Sequence, residues 1–179
     1  SEYIFKGIKI GSAWHPIIRM QWLNGEPLNI FLSNNLRGIN TLNNAITEFT
    51  SLVKKLEEIK VAHGDLQHGN ILVKQGKMYL IDYDGMYLDS LSYLTTNEIG
   101  HINYQHPNRT AKFNDNKIDR FSAIVIYLGM KALTVNPSLW NKYDNDENIL
   151  FKADDFIKLQ SSSLIKELIL IGFILKCVI

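Results

Sequence analysis

One cysteine, Cys177, stands in a chain of 179 residues. That excludes an intramolecular disulfide. With no disulfide framework and no signal peptide, the sequence reads as that of a cytoplasmic protein. A lone cysteine is more often a small buried apolar side chain than a redox centre. Charge of one sign is missing too: 19 Lys and Arg face 18 Asp and Glu, a formal net charge of +1. Such a balance carries no electrostatic footprint for nucleic acid. The Lys54-Lys55 pair shares its helix face with Glu57 and Glu58. No apolar run has membrane length. The stretch Leu168–Ile179 follows Lys166-Glu167 and is broken by Lys176, short of the ~20 residues a bilayer span requires. No membrane partner is expected. Repeats, low-complexity tracts and linkers are absent as well, so residues 1–179 are expected to form a single domain.

What is present is an ordinary globular composition, 46% hydrophobic, too apolar for a disordered chain. Two antiparallel strands are expected at about Tyr3–Ile10 and Ile17–Trp22, with a short helix starting at Pro27. Leu42, Ile46, Phe49, Val53, Leu56 and Ile59 step by four, three, four, three and three, which places them on one face of a helix ending near Val61. Asn40 or Thr41 is the expected N-cap. Ile71-Leu72-Val73 and Lys77–Ile81 read as a hairpin around Gln75-Gly76. Asp84–Pro107 is expected to hold little regular structure, which in a segment this long points to a lid or binding loop. A further helix is expected from Lys117 to Leu133, with Ile118, Phe121, Ile124, Val125, Leu128 and Leu133 as its core contacts, stopped by Asn136-Pro137.

The chemistry concentrates in His63-Gly64-Asp65-Leu66-Gln67-His68-Gly69-Asn70, followed by Leu80-Ile81-Asp82-Tyr83-Asp84-Gly85. Transfer of a γ-phosphoryl group needs a carboxylate to orient and deprotonate the acceptor hydroxyl, and oxygen ligands to hold Mg²⁺ against the phosphates. Asp65 suits the first task, and Asn70 with Asp82 the second. The interval from Asp65 to Asn70 reproduces the Asp-to-Asn spacing of a kinase catalytic loop. Asp84 is either a second metal ligand or a turn residue before Gly85; the Asp-Gly pair favours the turn. His63, His68, His101 and His106 lack the tight paired spacing of a zinc site.

These motifs resemble the protein-kinase superfamily, and more closely bacterial Ser/Thr protein-kinase-like proteins with His-Gly-Asp-Leu and Asp-Tyr-Asp-Gly. The resemblance runs from near Tyr3 to at least Leu133. It implies an α+β, protein-kinase-like fold in which residues 1–25 are remnant N-lobe strands and hinge and residues 26–179 a mainly helical C-lobe. It implies ATP and Mg²⁺ as ligands and a protein or small-molecule hydroxyl as acceptor. By position, Met20 would be the gatekeeper, the backbone of Gln21 and Leu23 would bond adenine, and Leu72 and Ile81 would line the adenine site. Gln67 takes the place of a Lys that touches the moving phosphoryl group; it either contacts substrate or faces solvent. Gly64 replaces the Arg that reads a phosphorylated loop. Asp119-Arg120-Phe121-Ser122 matches the start of the family's central helix, which implies that Asp119 bonds the catalytic-loop backbone. Tyr104-Gln105-His106-Pro107 takes the place of Ala-Pro-Glu, with Asn108 at the Glu position.

The family's Gly-rich loop, its strand-three Lys and the helix-C Glu have no counterpart, since the matched region opens at strand four. Losing one preorganised charge-stabilising donor costs roughly 3–4 kcal/mol of transition-state stabilisation. The chain alone is therefore expected to transfer phosphate poorly, either as a piece of a longer kinase or as a protein completed by a companion N-lobe or by self-association. Two other readings stand beside this one: a small-molecule kinase of the aminoglycoside or choline type, and a non-catalytic, pseudokinase-like scaffold that binds a partner.

Overall fold

Two apolar helices set the frame. In the computed structural model, which describes residues 1–93, 99–144 and 146–173, they are α2 (Ile39–Glu58) and α3 (Arg120–Val135), packed against each other. Leu42, Ala45, Ile46 and Phe49 form the buried stripe of α2, as the spacing of three and four requires. Its N-cap is Gly38, not Asn40 or Thr41. The Gly38 amide closes a turn onto the Asn35 carbonyl at 2.8 Å, which starts the helix early. Ile59 is the C-cap and lies exposed, because the chain leaves the helix before its face is completed.

α3 buries Ser122, Ala123, Val125, Ile126, Gly129, Met130, Ala132 and Leu133. The expected contact Ile124 is instead 56% exposed. This helix is apolar on most of its surface, so its sequence leaves the phase ambiguous. It also begins at Arg120 rather than Lys117, after a tight turn in which the Arg120 amide bonds the Lys117 carbonyl at 3.0 Å.

A three-stranded antiparallel sheet lies beside them, in the order β3 (Glu26–Pro27), β4 (Ile71–Lys74), β5 (Lys77–Leu80). Gln75 and Gly76 join the last two with φ of +52° and +74°. Two positive angles in a two-residue loop match the strand twist, and Gly76 accepts its angle without strain. Pro27 ends β3 and serves as the N-cap of α1 (Leu28–Asn34), so the helix starts one residue later than expected. Ile71, Val73 and Met78 point into the core formed with Leu28, Leu32 and Phe49.

The opening hairpin pairs β1 (Glu2–Ile10) with β2 (Ala13–Arg19) around Gly11-Ser12. The second strand thus begins before Ile17 and ends before Trp22. Cross-strand pairing of Trp14 with Lys9 and His15 with Ile8 extends it, with a register irregularity between Ile4 and Ile8. Pro16 is tolerated because β2 is an edge strand. Both faces of this hairpin are largely exposed.

The chain continues through α4 (Leu139–Tyr143), α5 (Ala153–Ile157) and α6 (Ser163–Leu170). α6 stops at Leu170 and Gly172 follows at φ +67°, a left-handed conformation that ends helices. Cys177 lies outside the described residues. The architecture is α+β, helices with two small antiparallel sheets. No helix among the described residues is long and apolar enough to cross a membrane.

Candidate functional site

The turn from His63 to Asn70 is held from below by one carboxylate. Asp119, buried at the start of α3, accepts the backbone N–H of His63 through Oδ2 and that of Gly64 through Oδ1, the latter at 2.9 Å. Burial pushes the Asp119 carboxyl above its ordinary range, and the two backbone donors, with the charges of His63 and Arg109, pull it back. The resemblance implied that Asp119 bonds the backbone of this turn, and it does.

His63 is fully buried. Its Nε2 lies 2.9 Å from the Ile81 carbonyl, which can only accept, so Nε2 carries the proton. Its ring packs tilted on Tyr83 at 5.9 Å between centroids. The Ala62–Tyr87 bridge pairs the two segments again, with bonds of 3.3 and 2.8 Å. Between these points Gly64, at φ +85°, lies so close to Gly85 that a Cβ would overlap the Gly85 carbonyl. Glycine is required here for both reasons. The sequence had marked Gly64 only as a missing Arg.

Asn70 is the hub. Its Nδ2 donates to the Asp65 backbone carbonyl at 2.9 Å and to Asp65 Oδ2 at 3.0 Å. Its backbone carbonyl accepts the Ile81 amide at 3.0 Å. Asp82 follows Ile81 directly and holds φ +62°, an uncommon angle for a residue with a Cβ. The chain is therefore bonded to the turn on both sides of Asp82, at Ile81–Asn70 and at Tyr87–Ala62. With Nδ2 committed to Asp65, the Asn70 Oδ1 is the amide atom left to meet a cation. An amide oxygen and an exposed carboxylate suit Mg²⁺, which takes one or two carboxylates and completes its shell with phosphates and water. Among the described residues no group of three His, Cys, Asp or Glu side chains is arranged to hold a metal. Asp84 is exposed in the turn that the Met86 amide closes onto the Tyr83 carbonyl at 3.1 Å.

Gln67 directs Oε1 back to the Gly69 amide at 2.8 Å and caps the 3₁₀ turn His68–Asn70. Only its Nε2 is left as a donor. Leu72 and Ile81 are half-buried; Leu72 sits opposite Pro27 on one side and Tyr79 on the other. Leu23 is half-buried in the chain leading to β3, and its carbonyl accepts the Gly25 amide at 3.1 Å. Met20 and Gln21 lie exposed on that same irregular stretch. Asp65, Asn70 and Ile81 are thus joined by hydrogen bonds, with Asp82 next in the chain, whereas Met20, Gln21 and Leu23 are not bonded to them.

The sequence marks Asp84–Pro107 as a lid or binding loop, but not which of its groups meets the turn. Ile99–Gln105 crosses over the turn, and the His101 amide donates to Asp65 Oδ1 at 2.6 Å. Tyr104, fully buried, approaches His68 Nδ1 through its hydroxyl at 2.6 Å. Burial first, and then the charge of His101, hold His68 below its ordinary range; burial pushes the Tyr104 phenol up. The available signal was Gly100 ahead of a short polar stretch. No protein-family model matches the chain, and no curated protein matches it.

Proposed function

We propose that the site is that of a protein-kinase-like phosphotransferase, with Mg²⁺ and ATP at Asn70 and Asp82 and a Ser or Thr hydroxyl presented to Asp65. The observation that carries this reading is the pair of hydrogen bonds that the Asn70 side-chain amide donates to Asp65, with the Ile81 amide bonded to the Asn70 carbonyl. It joins a base candidate to one candidate metal ligand, Asn70, and anchors the chain one residue before the other, Asp82. Bound Mg²⁺-ATP supplies the γ-phosphoryl group and the neutralising charge. Asp65 orients the acceptor hydroxyl and takes its proton as the oxygen bonds to phosphorus and ADP leaves. Asn70 Oδ1 and the Asp82 carboxylate hold the cation. Gln67 Nε2 offers a neutral hydrogen bond where charge builds.

A protein acceptor is favoured over a small molecule. Ser122 Oγ donates to the Tyr104 carbonyl at 2.6 Å, tying the start of α3 to the Tyr104–Pro107 segment. Both segments are features of the protein-kinase side of the resemblance.

Calorimetric titration with ATP, with and without Mg²⁺, tests the reading. The wild-type chain is expected to bind weakly and only with metal, and Asp82→Ala to lose the metal-dependent part. Binding that is equal without Mg²⁺, or unchanged in Asp82→Ala, would refute it.

A further inference from the structure

We propose that the strap Ile99–Gln105 positions the Asp65 carboxylate, and that the group doing so is the backbone amide of His101. What Asp65 then does rests on the phosphotransferase reading; that the strap holds it does not. Each Asp65 oxygen has one donor: Oδ2 receives Asn70 Nδ2 at 3.0 Å and Oδ1 receives the His101 N–H at 2.6 Å. The two bonds come from different parts of the chain and fix the plane of the carboxylate. A carboxylate has about four acceptor directions, so room remains for an incoming hydroxyl.

The strap is built for this approach. Gly100 holds φ +82°, and a Cβ there would lie 2.5 Å from Gln105 Nε2, 2.8 Å from the Gly64 carbonyl oxygen and 2.9 Å from Asp65 Oδ1. Only glycine lets the backbone come close enough for the His101 amide to reach. The far side is pinned to the body. Tyr104 is fixed through its hydroxyl to His68 and through its carbonyl to Ser122. Asn103 donates to the Glu147 carbonyl at 3.2 Å and accepts the Ala153 amide at 3.0 Å. A segment anchored to α3 and to the chain before α5 thus sets the orientation of the base candidate, through a main-chain donor whose geometry no side-chain rotamer can alter.

The test separates the amide from the imidazole. His101 has φ −69°, within the range that proline imposes, so His101→Pro removes the N–H and puts the proline ring Cδ in its place against Asp65 Oδ1. His101→Ala removes the same imidazole and keeps the N–H. The side-chain amide of Asn70, bonded to the same carboxylate, is the reporter by ¹⁵N NMR. In His101→Pro its two proton signals are expected to move well away from their positions in His101→Ala, with the α2 and α3 amides unshifted. Transfer in His101→Pro is expected at least roughly tenfold below His101→Ala at unchanged KM for Mg²⁺-ATP, because small misplacement of a reacting group is costly. Should His101→Pro not fold, Gly100→Ala displaces the strap sterically and is read against His101→Ala in the same way. Coincident Asn70 signals in the compared variants would overturn the proposal. Separated signals with no transfer by any chain, wild type included, would keep the positioning role and count against the phosphotransferase reading alone.

Discussion

Asp65→Ala is expected to lower phosphoryl transfer by about 10²- to 10⁴-fold, the usual worth of a positioned general base, while Mg²⁺-ATP affinity stays within about twofold. The separation follows from the hydrogen bonds. Asp65 reaches the cation-binding side only through Asn70, and Asn70 Nδ2 has a second acceptor in the Asp65 backbone carbonyl at 2.9 Å. That bond survives the substitution and keeps the Asn70 amide in place, and Ile81 stays bonded to the Asn70 carbonyl. Single-turnover transfer from labelled ATP, alongside calorimetry, reads the two effects independently. Loss of affinity in step with loss of rate would mean that Asp65 is itself a ligand of the metal or the phosphates.

Gly64→Ala is expected to cost about 4 kcal/mol of stability. A Cβ at φ +85° is strained by roughly 1–3 kcal/mol, and here it also overlaps the Gly85 carbonyl, which adds a similar overpacking cost. At roughly 2–4 °C per kcal/mol for a chain of this size, the midpoint of thermal unfolding falls by roughly 8–16 °C. Gly76→Ala provides the comparison. Gly76 has φ +74° with nothing within 4 Å of an added Cβ, so it carries the backbone strain without the collision. Equal losses in the two variants would show that the Gly64–Gly85 approach contributes nothing. A larger loss at Gly64 assigns the difference to that contact, which holds Asp65 and Asp82 on neighbouring segments.

Where the determinants are local, they were legible in the residues. The α2 stripe shows in the spacing of Leu42, Ile46 and Phe49, and the β4–β5 hairpin in the Gln75-Gly76 turn. Five-residue spacing alone brought Asp65 and Asn70 together. What escaped the sequence depends on distant partners. β2 extends back to Ala13 because His15 and Trp14 find Ile8 and Lys9 across the hairpin, not because of any pattern in β2. α3 is apolar nearly all round, so only its packing partners decide that Ile126 is buried and Ile124 is not. The demand on Gly64 comes from Gly85, and that on Gly100 from Gly64 and Asp65, far along the chain, as well as from nearby Gln105. The His101 contact is made by a backbone amide and leaves no residue signature. The nucleotide-side candidates Met20 and Gln21 rested on position within a resemblance, and the structure leaves them exposed.

The central claim is that Asn70 and Asp82 hold one divalent cation carried with a nucleotide, beside the Asp65 carboxylate. Mn²⁺ in place of Mg²⁺ reports on this directly, because it broadens the NMR signals of nearby nuclei. Titrating Mn²⁺-ATP into the labelled chain is expected to erase the Asn70 side-chain amide and Asp82 backbone signals first and Asp65 with them, while the α6 signals stay sharp. Sharp Asn70 and Asp82 signals at saturating Mn²⁺-ATP, or uniform broadening across the molecule, would contradict it.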